Sequence, residues 1–275
     1  RARCNTRGFE QRDGEHYDSH SISAPVTNDV TIRLTFIIMM MALWWGYLID
    51  VNGAFLNGQF QNGEVIYSEI PQGFHHKYNP KHWLWLLLKT CYGLKQASYE
   101  FWRQLLEAMK NLLFKRSNVD PCLYTKWTDH GLNIWISWVD DLIAIGPKDD
   151  IVKNKEQFKK HFECEDVGWL DEYVGCKIDI DQNKRKLKYT QPVLIQSLHD
   201  EFDLPEKEYH TPAEPGQVLS QSDEGDILNP KIQTLYRSGV ENLIHLMRWS
   251  RPEIYNAVRE LTMHLGKCNE VHLKA

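Results

Sequence analysis

Residues 134–146 read Ile134-Trp135-Ile136-Ser137-Trp138-Val139-Asp140-Asp141-Leu142-Ile143-Ala144-Ile145-Gly146. Two adjacent acids interrupt two apolar runs, each of strand length and rich in β-branched and aromatic residues. The pattern predicts two strands meeting at a tight turn, with Asp140 and Asp141 at its tip. Carboxylates held side by side repel unless a cation compensates them. A plain turn in which an aspartate caps its own backbone accounts for the pair equally well. The flanks alone leave these two readings level.

A third acid tips the balance. Tyr47-Leu48-Ile49-Asp50-Val51 is the other strongly apolar strand, and Asp50 ends it. Acids at the ends of two such distant strands converge only if the strands are neighbours in one sheet. Converged, they suit Mg²⁺, which takes one or two protein carboxylates and completes its octahedron with water and substrate phosphates. Two such ions, ~3.5–4 Å apart, stabilise both the attacking and the leaving oxygen of phosphoryl transfer.

Working outward, a helix is expected over residues 28–45, with Thr27 or Asn28 as its cap and Gly46 as its stop. Further helices are expected over 98–114, 149–162, 192–202, 235–247 and 252–265. Strands are expected over 64–67, 83–88 and 123–127, with a hairpin of 173–180 and 186–189 turning at 181–183. Residues 1–26 read as irregular, with short strand segments around Arg3 and Phe9. Residues 211–230 read as a loop. Helices and strands mix without strict alternation, which predicts an α+β fold rather than a doubly wound sheet.

The 275 residues are 42% hydrophobic and 25% charged, a globular composition long enough for a substantial core. The net charge of -5 argues against a uniformly basic nucleic-acid binder. Its distribution is uneven: residues 77–116 hold eight Lys or Arg against two acids, and residues 199–226 hold nine acids against one Lys. The six cysteines form no CxxC pair, which removes zinc-finger spacing and suggests reduced thiols in an intracellular protein. The apolar stretch 34–49 falls short of the ~20 residues a membrane span needs, so no membrane association is expected. Arg1 opens the chain within a strand-like segment, as a fragment of a longer polypeptide would.

Several further blocks give the carboxylates a context. Asp50-Val51-Asn52-Gly53-Ala54-Phe55-Leu56-Asn57-Gly58 resembles the DVKTAFLNG block of the reverse transcriptase domain of Ty1/copia-type LTR retrotransposons. Glu64-Val65-Ile66-Tyr67 through Pro71-Gln72-Gly73-Phe74 is similar to that family's EIYMEQPEGF block, and Tyr92-Gly93-Leu94-Lys95-Gln96-Ala97 matches YGLKQA. Asp120-Pro121-Cys122-Leu123-Tyr124 matches DPCLY, and Val139-Asp140-Asp141-Leu142 matches YVDDL after its first residue. Tyr236-Arg237-Ser238 and Ser250-Arg251-Pro252-Glu253-Ile254 resemble YRS and TRPDI. Each block is weak alone; together, in family order across nearly the whole chain, they are specific.

The resemblance implies an RNA-directed DNA polymerase with a right-hand fold: fingers at 1–26 and 58–96, palm at 27–57 and 97–181, thumb and the start of a connection at 182–275. It implies two Mg²⁺, with Mn²⁺ as a substitute, bound by Asp50, Asp140 and the Val51 carbonyl, and Asp141 supporting them. It places Phe55 under the sugar as a gate against ribose and Tyr92-Gly93 at the incoming deoxynucleoside triphosphate. Arg1 and Arg3, in a segment similar to KARLVARG, would lie over the triphosphate. Lys95 would touch template or phosphate, and Tyr173-Val174-Gly175, similar to the FLG block, would sit near the primer. The implied partners are an RNA or DNA template–primer and the integrase and ribonuclease H of a Gag-Pol polyprotein. The implied location is cytoplasmic virus-like particles, with nuclear entry alongside the cDNA.

The chain departs from the family pattern at Trp138, where tyrosine is usual, and at Ser98-Tyr99, Cys4-Asn5 and Ser23-Ala24. The alternative reading is therefore a decayed element copy acting at most as a nucleic-acid-binding fold.

Overall fold

The computed structural model describes residues 4–61, 64–204, 210–213, 216, 219–220 and 227–275. The chain divides into two compact units, residues 1–170 and 171–275. Arg1 and Arg3 lie outside the described residues.

In the first unit, helix α1 (Asp29–Ala42) begins where the Asn28 side chain accepts the Val30 N–H. It ends at Leu43, which turns left-handed (φ 56°) and returns its N–H to the Met39 carbonyl. The helix is shorter than the sequence suggested because Trp45 already belongs to β1 (Trp45–Val51), paired with Gly146. A small hairpin follows, β2 (Ile66–Glu69) and β3 (Leu84–Leu87). Next come α2 (Ala97–Asn111), β4 (Lys115–Arg116), β5 (Leu123–Thr128), β6 (Gly131–Trp138), β7 (Asp141–Gly146), α3 (Lys148–Phe158) and β8 (Cys164–Trp169).

Six of these strands form one antiparallel sheet in the order β4-β5-β6-β7-β1-β8. Ile49, Val51, Trp135, Leu142 and Ala144 face α2 and α3, packing with Phe101, Leu105, Met109, Ile151 and Phe158. Trp135, wholly buried, is the hub: its ring lies 5.4 Å from Phe114 and 5.3 Å from Phe158. The alternate residues Leu48, Ile134, Ile136, Ile143 and Ile145 are buried too, on the face where α1 packs against β7. Burial on both faces explains why these strands read as continuous apolar runs.

The expected strand segment around Arg3 falls at residues outside the described ones, and among the described residues none forms around Phe9. Gly8–Glu10 is a single 3₁₀ turn, and Thr6 crosses the chain at Tyr92, its N–H donating to the Tyr92 carbonyl at 2.8 Å. The crossing is too close for side chains. A Cβ on Gly8 would lie 1.9 Å from the Gly93 carbonyl oxygen, and one on Gly93 (φ +92°) 2.1 Å from the Thr6 oxygen.

The second unit holds a three-stranded antiparallel sheet, β9 (Glu172–Tyr173), β10 (Cys176–Asp181) and β11 (Lys186–Thr190). Helices α4 (Pro192–Phe202), α5 (Pro230–Trp249), α6 (Tyr255–Thr262) and α7 (Glu270–Lys274) follow. The expected strand 173–180 is interrupted: Val174 (φ 49°) and Gly175 (φ 71°) make a two-residue turn closed by the Tyr173–Cys176 pair. Residues 171–181 fall in this unit, where β10 pairs with β9 and β11. The expected helix 252–265 starts later, after a 3₁₀ turn over Pro252–Ile254. Half of the expected loop 211–230 lies outside the described residues. No helix among the described residues is long and apolar enough to cross a membrane.

Candidate active site

The sheet makes β1 and β7 direct neighbours, so the acids do converge. Asp50 is the cross-strand partner of Asp141, and the Val51 N–H donates to the Asp140 carbonyl at 3.0 Å. Cross-strand partners share a face, so the Asp50 and Asp141 side chains leave the sheet on the same side. The hairpin tip is only two residues, Val139 and Asp140, closed by the Trp138–Asp141 pair. Val139 has φ 55°, a conformation that β-branched residues avoid. Strain of this kind persists only where the surroundings over-determine it. Here the bond to Val51 and two buried strands fix the turn.

Two further acids lie beside this group. Glu165 on β8 is the partner of Asp50 on its other edge, so Asp141, Asp50 and Glu165 form a row across three strands. Glu163 receives the Asn52 N–H on its carbonyl at 2.9 Å. The sequence reading missed β8 and both glutamates. Cys164–Trp169 has no apolar alternation, because it is an edge strand and mostly exposed.

Asp50, Asp140 and Glu163, but not Asp141 or Glu165, line a cavity of about 590 Å³ together with Trp85, Tyr92 and Thr6 among others. Tyr92 is positioned by the Thr6 crossing, and its ring meets Phe55 edge-on at 5.3 Å. Phe55 is held in turn by its carbonyl, which accepts the Thr90 hydroxyl at 2.7 Å. Phe55 and Gly93 do not line the cavity themselves. Lys95 is committed elsewhere: its ammonium donates to the Tyr17 hydroxyl at 2.9 Å and to the Gln11 carbonyl at 3.3 Å. In the second unit, Tyr173 is buried with its ring 6.5 Å from Trp249, and Val174-Gly175 form the β9–β10 turn.

The electrostatics are those of crowded like charges. Partial burial of the Asp141 carboxyl, then the charges of Asp140 and Asp50, push its pKa up to about 6, although the residue as a whole stays exposed. Its proton is held more tightly folded than unfolded. This group therefore costs nothing below the ordinary value of 3.8 and destabilises fully above about 6. Asp141→Asn is expected to raise metal-free stability at pH 7.5 by about 1 kcal/mol after allowance for screening. The gain should vanish towards pH 4; paired urea melts in chelator at the two pH values check this.

Among the described residues no group of three His, Cys, Asp or Glu side chains forms a ready-made metal cage. The donor chemistry nevertheless fits a hard cation: carboxylate oxygens only, in mutual repulsion, facing a cavity with room for phosphates and water.

The model of the reverse transcriptase (RNA-dependent DNA polymerase) family matches residues 1–215. A retrovirus-related Pol polyprotein from transposon TNT 1-94 of Nicotiana tabacum is 30% identical over 281 residues, covering 100% of this chain and 21% of the relative. The corresponding polyprotein from transposon RE1 of Arabidopsis thaliana is 26% identical over 277 residues, covering 100% of this chain and 18% of the relative. A transposon Ty5-1 protein of Saccharomyces cerevisiae is 27% identical over 228 residues, covering 82% of this chain and 72% of the relative. The chain thus spans about a fifth of the two plant polyproteins. No solved structure matches. On the family match and these relatives, the chain belongs to the reverse transcriptase (RNA-dependent DNA polymerase) family, in the branch of retrotransposon Pol polyproteins.

Proposed function

We propose that this chain is the nucleotide-adding core of an RNA-directed DNA polymerase cut from a retrotransposon Gag-Pol polyprotein. One observation carries the reading: Asp50 pairs across the strands with Asp141 while Val51 bonds Asp140, at the mouth of a cavity walled by Tyr92. In this reading Asp50 and Asp140 hold two Mg²⁺, or Mn²⁺ in their place, with the Val51 carbonyl as a further donor and Asp141 beside them. Bound there, the pair of ions supplies charge stabilisation to the attacking and leaving oxygens of phosphoryl transfer. The chain's own work is positioning. The Thr6–Gly93 crossing fixes Tyr92 on the cavity wall, where it would meet the deoxynucleoside triphosphate, and Phe55, edge-on behind that ring, would act as the gate against a ribose 2′-hydroxyl through it. Lys95, held by Gln11 and Tyr17, would meet template or phosphate from that position.

The same reading makes residues 1–26 and 58–96 the fingers, residues 27–57 and 97–181 the palm, and residues 182–275 the thumb and the start of a connection towards ribonuclease H. The primer contact of Tyr173-Val174-Gly175 would come from the β9–β10 turn.

The test is extension of a DNA primer on an RNA template by the 275-residue chain with Mg²⁺. Template-directed addition of deoxynucleotides, with ribonucleotides strongly disfavoured, is the expected result. A folded chain that binds template–primer yet adds no nucleotide with Mg²⁺ or Mn²⁺ would refute the reading and leave the decayed-copy alternative.

A further inference from the structure

Two of the six cysteines share the cavity of the candidate site. Cys4 is exposed and Cys91 half-buried, and both line the space that Asp50, Asp140 and Tyr92 also line. Cys122, Cys176 and Cys268 are buried, and the half-buried Cys164 is not part of that lining. The Cys91 thiol donates to the Thr6 hydroxyl at 3.7 Å, and that hydroxyl donates in turn to the Tyr92 carbonyl at 3.0 Å. Cys4 stands two residues before Thr6, so its Cα lies within about 7 Å of that of Thr6. Residues 4–7 belong to no helix or strand, so no ladder of bonds keeps Cys4 from turning to Cys91. The two thiols already sense each other. Burial raises the Cys91 pKa above its ordinary 9.0, the Thr6 bond opposes the rise, and charge on Cys4 adds to it.

We propose that Cys4 and Cys91 form a reversible disulfide that locks this wall of the cavity. The oxidant is a small-molecule disulfide, such as oxidised glutathione. The Cys4 thiolate attacks one of its sulfurs: a bond forms between the two, the oxidant's S–S bond breaks, and one glutathione leaves as thiolate. The Cys91 thiolate then attacks the Cys4 sulfur and expels the second glutathione. The protein gives up two electrons and two protons, and both glutathiones end as thiols. Burial keeps Cys91 protonated, which leaves the first attack to the exposed Cys4. Once bridged, Cys91 no longer donates to Thr6, and the residue just before Tyr92 is tied covalently to the amino-terminal segment. The contacts that position Tyr92 at the cavity are thereby changed. A thiol reductant reverses the exchange.

The 275-residue chain is treated with oxidised glutathione, its free thiols are alkylated, and it is digested with trypsin without reductant. Cleavage after Arg3, Arg7, Lys89 and Lys95 releases residues 4–7 and 90–95. Mass spectrometry should find these two peptides joined, lighter than their sum by two hydrogens, and separated again by dithiothreitol. Glutathione left on Cys4 with Cys91 free, or Cys4 joined to another cysteine, overturns the pairing. The lock is read by primer extension, and this arm rests on the function proposed above. Misplacing a positioning group by about 1 Å can cost ~100-fold, so the oxidised parent should fall at least ~10-fold below its reduced form and recover with dithiothreitol. Cys4→Ser and Cys91→Ser, each compared with its own untreated sample, should not respond to the oxidant. A mapped bridge that leaves extension unchanged, or a serine variant that loses activity as the parent does, overturns the lock. A reduced parent that extends no primer refutes the proposed function instead, and the joined peptides still decide the pairing.

Discussion

Asp140→Asn is expected to lower primer extension by on the order of 10³-fold or more, with the fold intact. Removing one group that stabilises transition-state charge typically costs ~10²–10³-fold, and Asp140 in the proposed reading also holds the ions. The amide is nearly isosteric, and the contact that ties Asp140 to β1 runs through its backbone carbonyl to the Val51 N–H, which the substitution leaves alone. One carboxylate fewer also relieves Asp141, whose pKa is raised in part by the Asp140 charge. The metal-free variant should accordingly melt no lower than the parent. Single-turnover extension and thermal melts in chelator, run in parallel, separate these effects. Extension within tenfold of the parent would remove Asp140 from the ligand set.

The second large effect is on stability. Trp135→Ala should cost about 4 kcal/mol, within the range for deleting a fully buried tryptophan. The ring sits between Phe114 and Phe158, in the cluster that joins α2 and α3 to the sheet, so neither helix can collapse into the vacancy without moving the other. Trp135→Phe should cost much less, under about 1.5 kcal/mol. The indole Nε1 is buried with no partner among the described residues, so losing that N–H offsets part of the lost contact. Urea unfolding of the three proteins checks the order. Equal costs for Ala and Phe would mean that the ring is not the hub. Because β6 and β7 flank the aspartate turn, Trp135→Ala should also loosen the site and depress extension beyond what its folded fraction explains.

Much of this was legible in the chain. The apolar runs on either side of Asp140-Asp141 required a buried hairpin, and Asn28 announced the start of α1 by its capping chemistry. Local backbone preference hid other features. Leu43 ends α1 in a left-handed conformation that nothing about leucine advertises, and Val174 opens a turn that its β-branch disfavours. β8 was invisible because an exposed edge strand takes its structure from its neighbour rather than from its own pattern. The resemblance put Lys95 at template or phosphate, and only the folded chain shows its ammonium bonded to Tyr17 and Gln11.

By itself the sequence determined which residues are the candidates for chemistry: oxygen donors at the ends of apolar strands, and the ordered blocks around them. Side-chain type and hydrophobic period are local properties that fold into the chain one residue at a time. Tertiary structure decided what those residues do to one another. The β7-β1-β8 strand order sets Asp141, Asp50 and Glu165 in a row, and the strained Val139 turn brings Asp140 to Val51. The Thr6–Gly93 crossing delivers Tyr92 to the same cavity. Each of these joins segments far apart in the chain, and the repulsion that lifts the Asp141 pKa exists only once strand pairing has brought the charges together.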